Sequence, residues 1–258
     1  VTAAASPTAI VTGAGSGIGR AIAHALLADG FAVTLAGRRI AQLRETVAAV
    51  PEHTAGVSSH TLLCETDVTD PAQVEHLFAT HAAEFGRLDV LVNNAGTFGP
   101  TADIGDLTLT DWEATLAVNV TGSVLCAGAA FRQMRNQTPT GGRIINNGSI
   151  SAQTPRPRSV AYTTTKHAIA GLTKSIELDG RAHQIVATQL DIGNAQTGLL
   201  DTLVGPGALQ ADGSTRPEPA FEVAHVAAAV LQLARLPLAV SVPQLTITAA
   251  GMPFIGRG

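Results

Sequence analysis

Ser149, Tyr162 and Lys166 are the residues whose types and spacing point most directly to chemistry in this chain. Tyr162 and Lys166 lie four positions apart. Positions i and i+4 share one face of a helix, so the spacing predicts a phenol and an ammonium side by side. A free phenol has a pKa of roughly 10 and exchanges protons poorly at neutral pH. A neighbouring cation favours the phenolate and is expected to bring that value down. A tyrosine tuned in this way passes a proton to or from the oxygen of a ketone or alcohol. Ser149, ahead of it in the chain, carries a hydroxyl suited to hydrogen-bond the same oxygen. An isolated Tyr-x-x-x-Lys is common on solvated helix faces, so the trio gains its meaning from what precedes it.

What precedes it is a nucleotide site. Thr8-Ala-Ile-Val11 is a β-rich apolar run, followed by Thr12-Gly-Ala-Gly-Ser-Gly-Ile-Gly19 and then by an apolar-periodic stretch to Asp29. The pattern reads as strand, glycine turn, helix. Gly13, Gly17 and Gly19 allow a tight turn and close backbone approach to a pyrophosphate. Ser16 and Ile18 open the helix, whose first N–H groups and dipole favour an anion. The second strand, Ala32 to Ala36, ends in Gly37-Arg38-Arg39. An acidic residue there would bind a ribose 2′-hydroxyl, whereas an arginine accommodates a 2′-phosphate. Arg38 and Arg39 therefore favour NADP(H) over NAD(H).

With these residues in order, the chain resembles the short-chain dehydrogenase/reductase family over almost its whole length. Two further motifs carry the resemblance. Asp67-Val68 follows the strand-like run Thr61 to Cys64, and Asn93-Asn94-Ala95-Gly96 follows the strand Leu88 to Val92. The resemblance implies that Asp67 and Val68 contact the adenine, and that Asn94, Ala95 and Gly96 border its ribose. It implies that Asn119 completes a catalytic tetrad with Ser149, Tyr162 and Lys166, its backbone holding a water in a proton relay, and that Lys166 also binds the nicotinamide ribose. The stretch Ile192-Gly193-Asn194-Ala195-Gln196-Thr197 replaces the family's usual Pro-Gly-x-Val-x-Thr. By resemblance the backbone of Ile192, Gly193, Ala195 and Thr197 meets the nicotinamide carboxamide, and main-chain contacts survive such side-chain changes. The ordinary Asp-Gly-Gly ending is replaced by a segment containing Met252, Pro253 and Phe254.

Apolar runs predict strands near 8–11, 32–36, 61–65, 89–93, 143–149, 186–191 and 244–248. Helical periodicity covers 18–29, 39–50, 71–85, 111–135, 160–180 and 222–235. This alternation predicts an α/β Rossmann fold, a seven-stranded parallel sheet with helices on both faces, in one domain spanning 1–258. Ligands of such sheets sit at the C-terminal ends of the strands. Residues 194–220 are rich in glycine and proline and lack periodicity, which suits a substrate-binding loop. Leu199, Leu200, Leu203 and Leu209 would roof the pocket, with Gln153, Pro155 and Gln189 as further pocket positions beside Ser149.

The composition fits that picture. Of 258 residues, 45% are hydrophobic and 14% charged, enough for a large core and too apolar for disorder. A net charge of −4 offers no basic field for nucleic acid. Cys64 and Cys126 form no paired motif, the eight histidines form no ligand cluster, and no metal is expected. Neither a leader peptide nor a membrane span is expected, making the cytoplasm the default location. The resemblance implies a homotetramer or homodimer, packed through helices 111–135 and 160–180. The expected activity is NADP(H)-dependent interconversion of a ketone and a secondary alcohol on a small-molecule carbonyl substrate. The alternatives are an NAD-linked alcohol dehydrogenase and a non-catalytic dinucleotide sensor on the same fold.

Overall fold

The computed structural model describes residues 6–50, 60–197 and 207–254. Strands and helices alternate along it: β1 (Thr8–Thr12), α1 (Gly17–Ala28), β2 (Ala32–Gly37), α2 (Ile40–Ala48), β3 (Thr61–Glu65), α3 (Pro71–Phe85), β4 (Val90–Asn93), α4 (Leu109–Leu116), α5 (Gly122–Asn136), β5 (Gly142–Asn147), α6 (Val160–Gly180) and β6 (Ile185–Ile192). Four two-residue strands follow, β7 (Ala195–Gln196), β8 (Ala208–Leu209), β9 (Thr215–Arg216) and β10 (Phe221–Glu222), then α7 (Val223–Arg235) and β11 (Gln244–Ile247). Seven strands form one sheet in the order β11-β6-β5-β4-β1-β2-β3, and every pairing is parallel. This is the Rossmann-type architecture expected from the sequence.

The period of two along a strand explains why both faces are covered. Ala9 and Val11 of β1 belong to a core with Ile22 and Leu26 of α1 and with Val226 and Val230 of α7. Ile10, between them, belongs to the opposite core with Leu77 of α3, Cys126 and Ala130 of α5, and Ile176 of α6. Leu91 of β4 is fully buried in that second layer. Truncating a leucine in such a setting costs about 2–5 kcal/mol.

Two expectations change. The helix read over 111–135 is found, running without a break over 109–136, but it contains an unexpected wide π-type turn, Ala117–Thr121, between α4 and α5. Asn119 sits in that turn, its side chain clamped between Thr97 and Thr165. Such turns are single-turn insertions that recur at functional sites. Taken through the turn, Leu109–Asn136 is also long and apolar enough by composition to cross a membrane, with a mean hydropathy of 1.6 over an 18-residue window. No stretch of that kind was expected. Its apolar side is used internally, since Cys126, Ala127, Ala129, Ala130 and Met134 are buried in the second core.

The described parts of the 194–220 region, 194–197 and 207–220, also carry more regular structure than their composition suggests. β7 pairs with β10 in parallel, and β8 pairs with β9 as a hairpin. Ile192, standing where proline is usual in the resembling family, stays in the β6 ladder opposite Ile247. Proline there would lack an amide donor. Gly193 N then donates to Ile247 O at 2.8 Å, fixing the exit of the strand. At the C-terminal end, Met252 is buried on Ile150 and Ala249 of its own chain, with Phe254 packed alongside.

Candidate active site

The sheet order reverses between β1 and β4, and a cleft of about 700 Å³ opens at the C-terminal ends of the strands there. That is the general ligand position for open α/β sheets, and the volume falls within the roughly 300–1,000 Å³ of ligand pockets. The strand ends are stapled. The Thr12 hydroxyl accepts from Asn94 N at 2.9 Å and Ala95 N at 3.0 Å, and Thr12 O accepts from Asn94 Nδ2 at 2.9 Å. Asn147 Nδ2 donates to Asn94 Oδ1 at 2.9 Å, carrying the staple to β5.

One end of the cleft is built for a nucleotide. A Cβ on Gly19 would stand 2.2 Å from Gly13 O, so only glycine lets α1 begin this close to the turn. Ser16, the residue before α1, is extended and its side chain makes no capping bond. The first helix amides are therefore not consumed by their own cap. Arg38 and Arg39, exposed at the end of β2, border the same end of the cleft. Neither forms an ion pair among the described residues. Asp67 Oδ1 accepts from Thr69 N and Oγ1 at 2.9 and 2.8 Å, which fixes the carboxylate at the cleft wall.

The other end carries the acid–base groups. Ser149 follows β5, accepts from Ser151 N at 3.1 Å through its Oγ, and lines the cleft. Tyr162 lies in the first turn of α6 and Lys166 one turn later. Lys166 Nζ donates to Asn147 O at 2.7 Å and stands 5.5 Å from the tyrosine ring centroid. Phe98 packs on the other side of Tyr162 with ring centroids 4.8 Å apart. Asn119 is buried behind this wall and does not line the cleft; its carbonyl accepts from Ser123 Oγ at 2.8 Å.

The electrostatics differ from the expectation of a lowered tyrosine. Burial among the cleft walls pushes Tyr162 up to about 12, although part of its ring meets solvent. Its hydrogen bond with the Ser149 side chain works against this, Asp191 adds to it, and Arg156 opposes it. Burial also pulls Lys166 down to about 8, with Asp191 holding it up. The ammonium is turned to the Asn147 carbonyl, so its charge does not dominate at the phenol.

Every residue expected at the cofactor borders this cleft, from the glycine turn through Asn94, Ala95 and Gly96 to Ile192, Gly193, Ala195 and Thr197. The pocket expectations fare differently. Gln153 and Gln189 are not on the cleft wall; their amides point to the Asp191 carboxylate at 2.8 and 2.6 Å. Pro155 lies at a separate, shallower depression, whereas Leu209 does line the cleft. Leu199, Leu200 and Leu203 lie outside the described residues. Sequence reasoning passed over Phe98, Arg156 and Asp191. The signal for Asp191 was an acid inside a strand that is otherwise apolar or neutral, Ile185–Ile192.

The chemistry of the lining fits a nicotinamide dinucleotide. A backbone cradle that a single Cβ would fill, two exposed cations and a buried acid–base group share one cleft. Among the described residues there is no group of side chains able to hold a metal ion.

Comparisons with known proteins bear on the family and the fold. A family model described as short chain dehydrogenase matches residues 7–205. A "3beta-hydroxysteroid dehydrogenase" of Mediterraneibacter gnavus is 36% identical over 66% of this chain and 59% of its own length. The "Short-chain reductase protein NovJ" of Streptomyces niveus is 39% identical over 76% of this chain and 71% of its own. The aligned region thus spans less than two thirds of the first relative's length. Among solved structures, a 3-ketoacyl-(acyl-carrier-protein) reductase from Brucella melitensis, complexed with NADH, shares the fold. Its TM-score is 0.82 at 22% identity, covering 95% of this chain and 98% of that one.

Proposed function

The chain belongs to the short-chain dehydrogenase family, and on that premise we propose that it is an NADP(H)-dependent oxidoreductase that interconverts a ketone and a secondary alcohol. One observation carries the reading. Ser149, Tyr162 and Lys166 line the same cleft as the glycine turn and the Arg38–Arg39 pair.

The chemistry supplied by the nicotinamide ring when bound is hydride transfer to or from the carbonyl carbon. The chain's part is to bind, orient and move one proton. Tyr162 Oη gives its proton to the carbonyl oxygen in reduction and takes it back in oxidation. Ser149 Oγ hydrogen-bonds that same oxygen and steadies the charge that develops on it. Lys166 would hold nicotinamide ribose hydroxyls and, through a water held by the Asn119 backbone, would relay a proton back to Tyr162. The α1 amides take the pyrophosphate, Asp67 and Val68 the adenine, and Ile192 to Thr197 the carboxamide. Arg38 and Arg39 take the 2′-phosphate, which an arginine matches in charge and geometry. Asn194, Ala195, Thr197, Ala208 and Leu209, from the described parts of the 194–220 region, wall the cleft and suit an apolar substrate. Val124 of α5 and Leu178 of α6 are exposed apolar side chains that suit a contact between copies, in keeping with a homotetramer or homodimer.

The test is consumption of NADPH, followed by absorbance, against aliphatic, aromatic and β-keto carbonyl compounds, with NADH alongside. Wild type should turn over at least one class. Tyr162→Phe, which removes only the hydroxyl, should lose about 10²–10⁴-fold in kcat, the usual range for a positioned acid. Turnover by Tyr162→Phe at the wild-type rate would sink the proposal.

A further inference from the structure

Asp191 is fully buried at the C-terminal end of β6, and its carboxylate accepts four hydrogen bonds among the described residues. Oδ1 accepts from Ser149 N at 3.0 Å and Gln189 Nε2 at 2.6 Å. Oδ2 accepts from Gln153 Nε2 at 2.8 Å and Gln244 Nε2 at 2.6 Å. Four N–H donors match an acceptor-only carboxylate, and none of these four donors carries a formal charge. The donors come from the segment after β5, from β6 itself and from β11, so the carboxylate ties three parts of the chain together.

The neighbouring chain makes room for it. A Cβ on Gly148 would stand 2.3 Å from Asp191 Oδ1 and 2.9 Å from Gln189 Cγ. Residue 148 lacks a side chain where the carboxylate passes beneath the Ser149 backbone. Asp191 acts electrostatically on Tyr162 and Lys166, both on α6; its direct partners are the Ser149 amide and the glutamine amides.

We propose that Asp191 is a positioning residue of the reaction: it anchors the backbone of Ser149 and sets a fixed negative charge beside the Tyr162–Lys166 pair. The role rests on the oxidoreductase reading above. Anchoring Ser149 N fixes where Oγ points, because the side chain leaves from the same residue. The charge acts on both partners in the same direction, raising the proton affinity of the phenol and of the amine. It offsets part of the cost of burying the lysine charge, and it adds to the burial that holds the tyrosine proton.

Tyr162 is the single tyrosine of the chain, so the ultraviolet absorbance of phenolate reports its ionisation directly, without turnover. Asp191→Asn keeps the shape and removes the charge; its own amide oxygen can still accept from Ser149 N. The expected result is a phenolate midpoint below that of the wild type measured alongside, with circular dichroism confirming the fold at each pH. Gln153→Lys is the second variant. It brings an ammonium to Oδ2 from an exposed position and should move the midpoint the same way. If Asp191→Asn fails to fold, Gln153→Lys decides. Midpoints unchanged in the folded variants overturn the proposal. The same result holds whether or not the wild type reduces any carbonyl compound, so a failure of the reaction assay is told apart from a failure here. Where turnover is present, Asp191→Asn should lower kcat and displace the tyrosine limb of its pH profile acidward. A lowered kcat with an unmoved pH profile would leave only a structural role and overturn the charge assignment.

Discussion

Arg38 and Arg39 are where the cofactor assignment is most exposed to disproof. Both stand free of carboxylates among the described residues, at the end of β2 and on the cleft wall. A hydrogen bond to a charged group is worth about 1.5–3 kcal/mol. Each 1.4 kcal/mol is about a factor of ten in affinity. Replacing both with alanine should therefore weaken NADPH by about 10- to 100-fold or more, with the effect at the low end if solvent screens it. NADH has no 2′-phosphate and should bind within a few-fold of its wild-type affinity. The assay is equilibrium titration of both cofactors by calorimetry or nucleotide fluorescence, repeated across ionic strength. Exposed charges are screened over a Debye length of about 10 Å at 0.1 M salt, so the NADPH advantage of the wild type should shrink as salt rises, and the double variant should show little of that dependence. An unchanged NADPH-to-NADH ratio, or equal loss for both, would refute the assignment and leave the arginines as solvated surface charges.

Two further outcomes follow from packing and burial. His81 is buried between Thr34 Oγ1 at 2.7 Å and Arg87 O at 2.9 Å, and burial pulls it from 6.5 down to about 4. The folded state resists a proton that the unfolded chain accepts, so this stability is fully present above pH 6.5 and is lost as pH falls toward 4. At about 1.4 kcal/mol per pH unit the total is about 3 kcal/mol; urea melts at pH 7 and pH 4.5 should show a smaller pH dependence in His81→Gln than in wild type, and equal slopes would contradict it. Gly19→Ala places a methyl 2.2 Å from Gly13 O; it should cost about 1–3 kcal/mol by overpacking and weaken both cofactors, and wild-type melting and binding would show that the turn yields freely.

The sheet was legible because strand period and helix period are local properties. Ala9, Ile10 and Val11 alternate between two cores, and that alternation is visible in the sequence as a short apolar run between turn residues. The glycine turn and the Tyr162–Lys166 pair were legible for the same reason, since each spans fewer than ten residues. The π-type turn at Asn119 was not, because it depends on Asn119 reaching Thr97 and Thr165 from distant parts of the chain. The same holds for Asp191. Three of its four partners, Ser149, Gln153 and Gln244, are separated from it by 42, 38 and 53 positions. Gln153 and Gln189 looked like pocket residues because polar side chains near a site suggest ligand contact; only the fold shows them spent on a buried carboxylate. The direction of the tyrosine shift was missed because spacing gives the distance between two side chains along a helix and says nothing of how far both are withdrawn from water.

That withdrawal bears on what the site does best. A phenol held at about 12 keeps its proton throughout the neutral range, and an amine held at about 8 remains mostly charged at pH 7. Both groups, as the chain sets them, are proton donors. Reduction of a carbonyl consumes a proton at the oxygen, whereas oxidation of an alcohol needs a base there. Ser149 and Arg156 pull the phenol down while burial and Asp191 push it up, so the balance is set by groups on both sides of the cleft. Arg156 is itself held by Glu218 and Asn194, from the region that borders the substrate end. Glu218 is almost entirely buried and is held down to about 2, against the pull of its own burial, by hydrogen bonds from Arg156, Asn194 and Gln210. Arg156, Asn194 and Glu218 thus set part of the charge that Tyr162 meets.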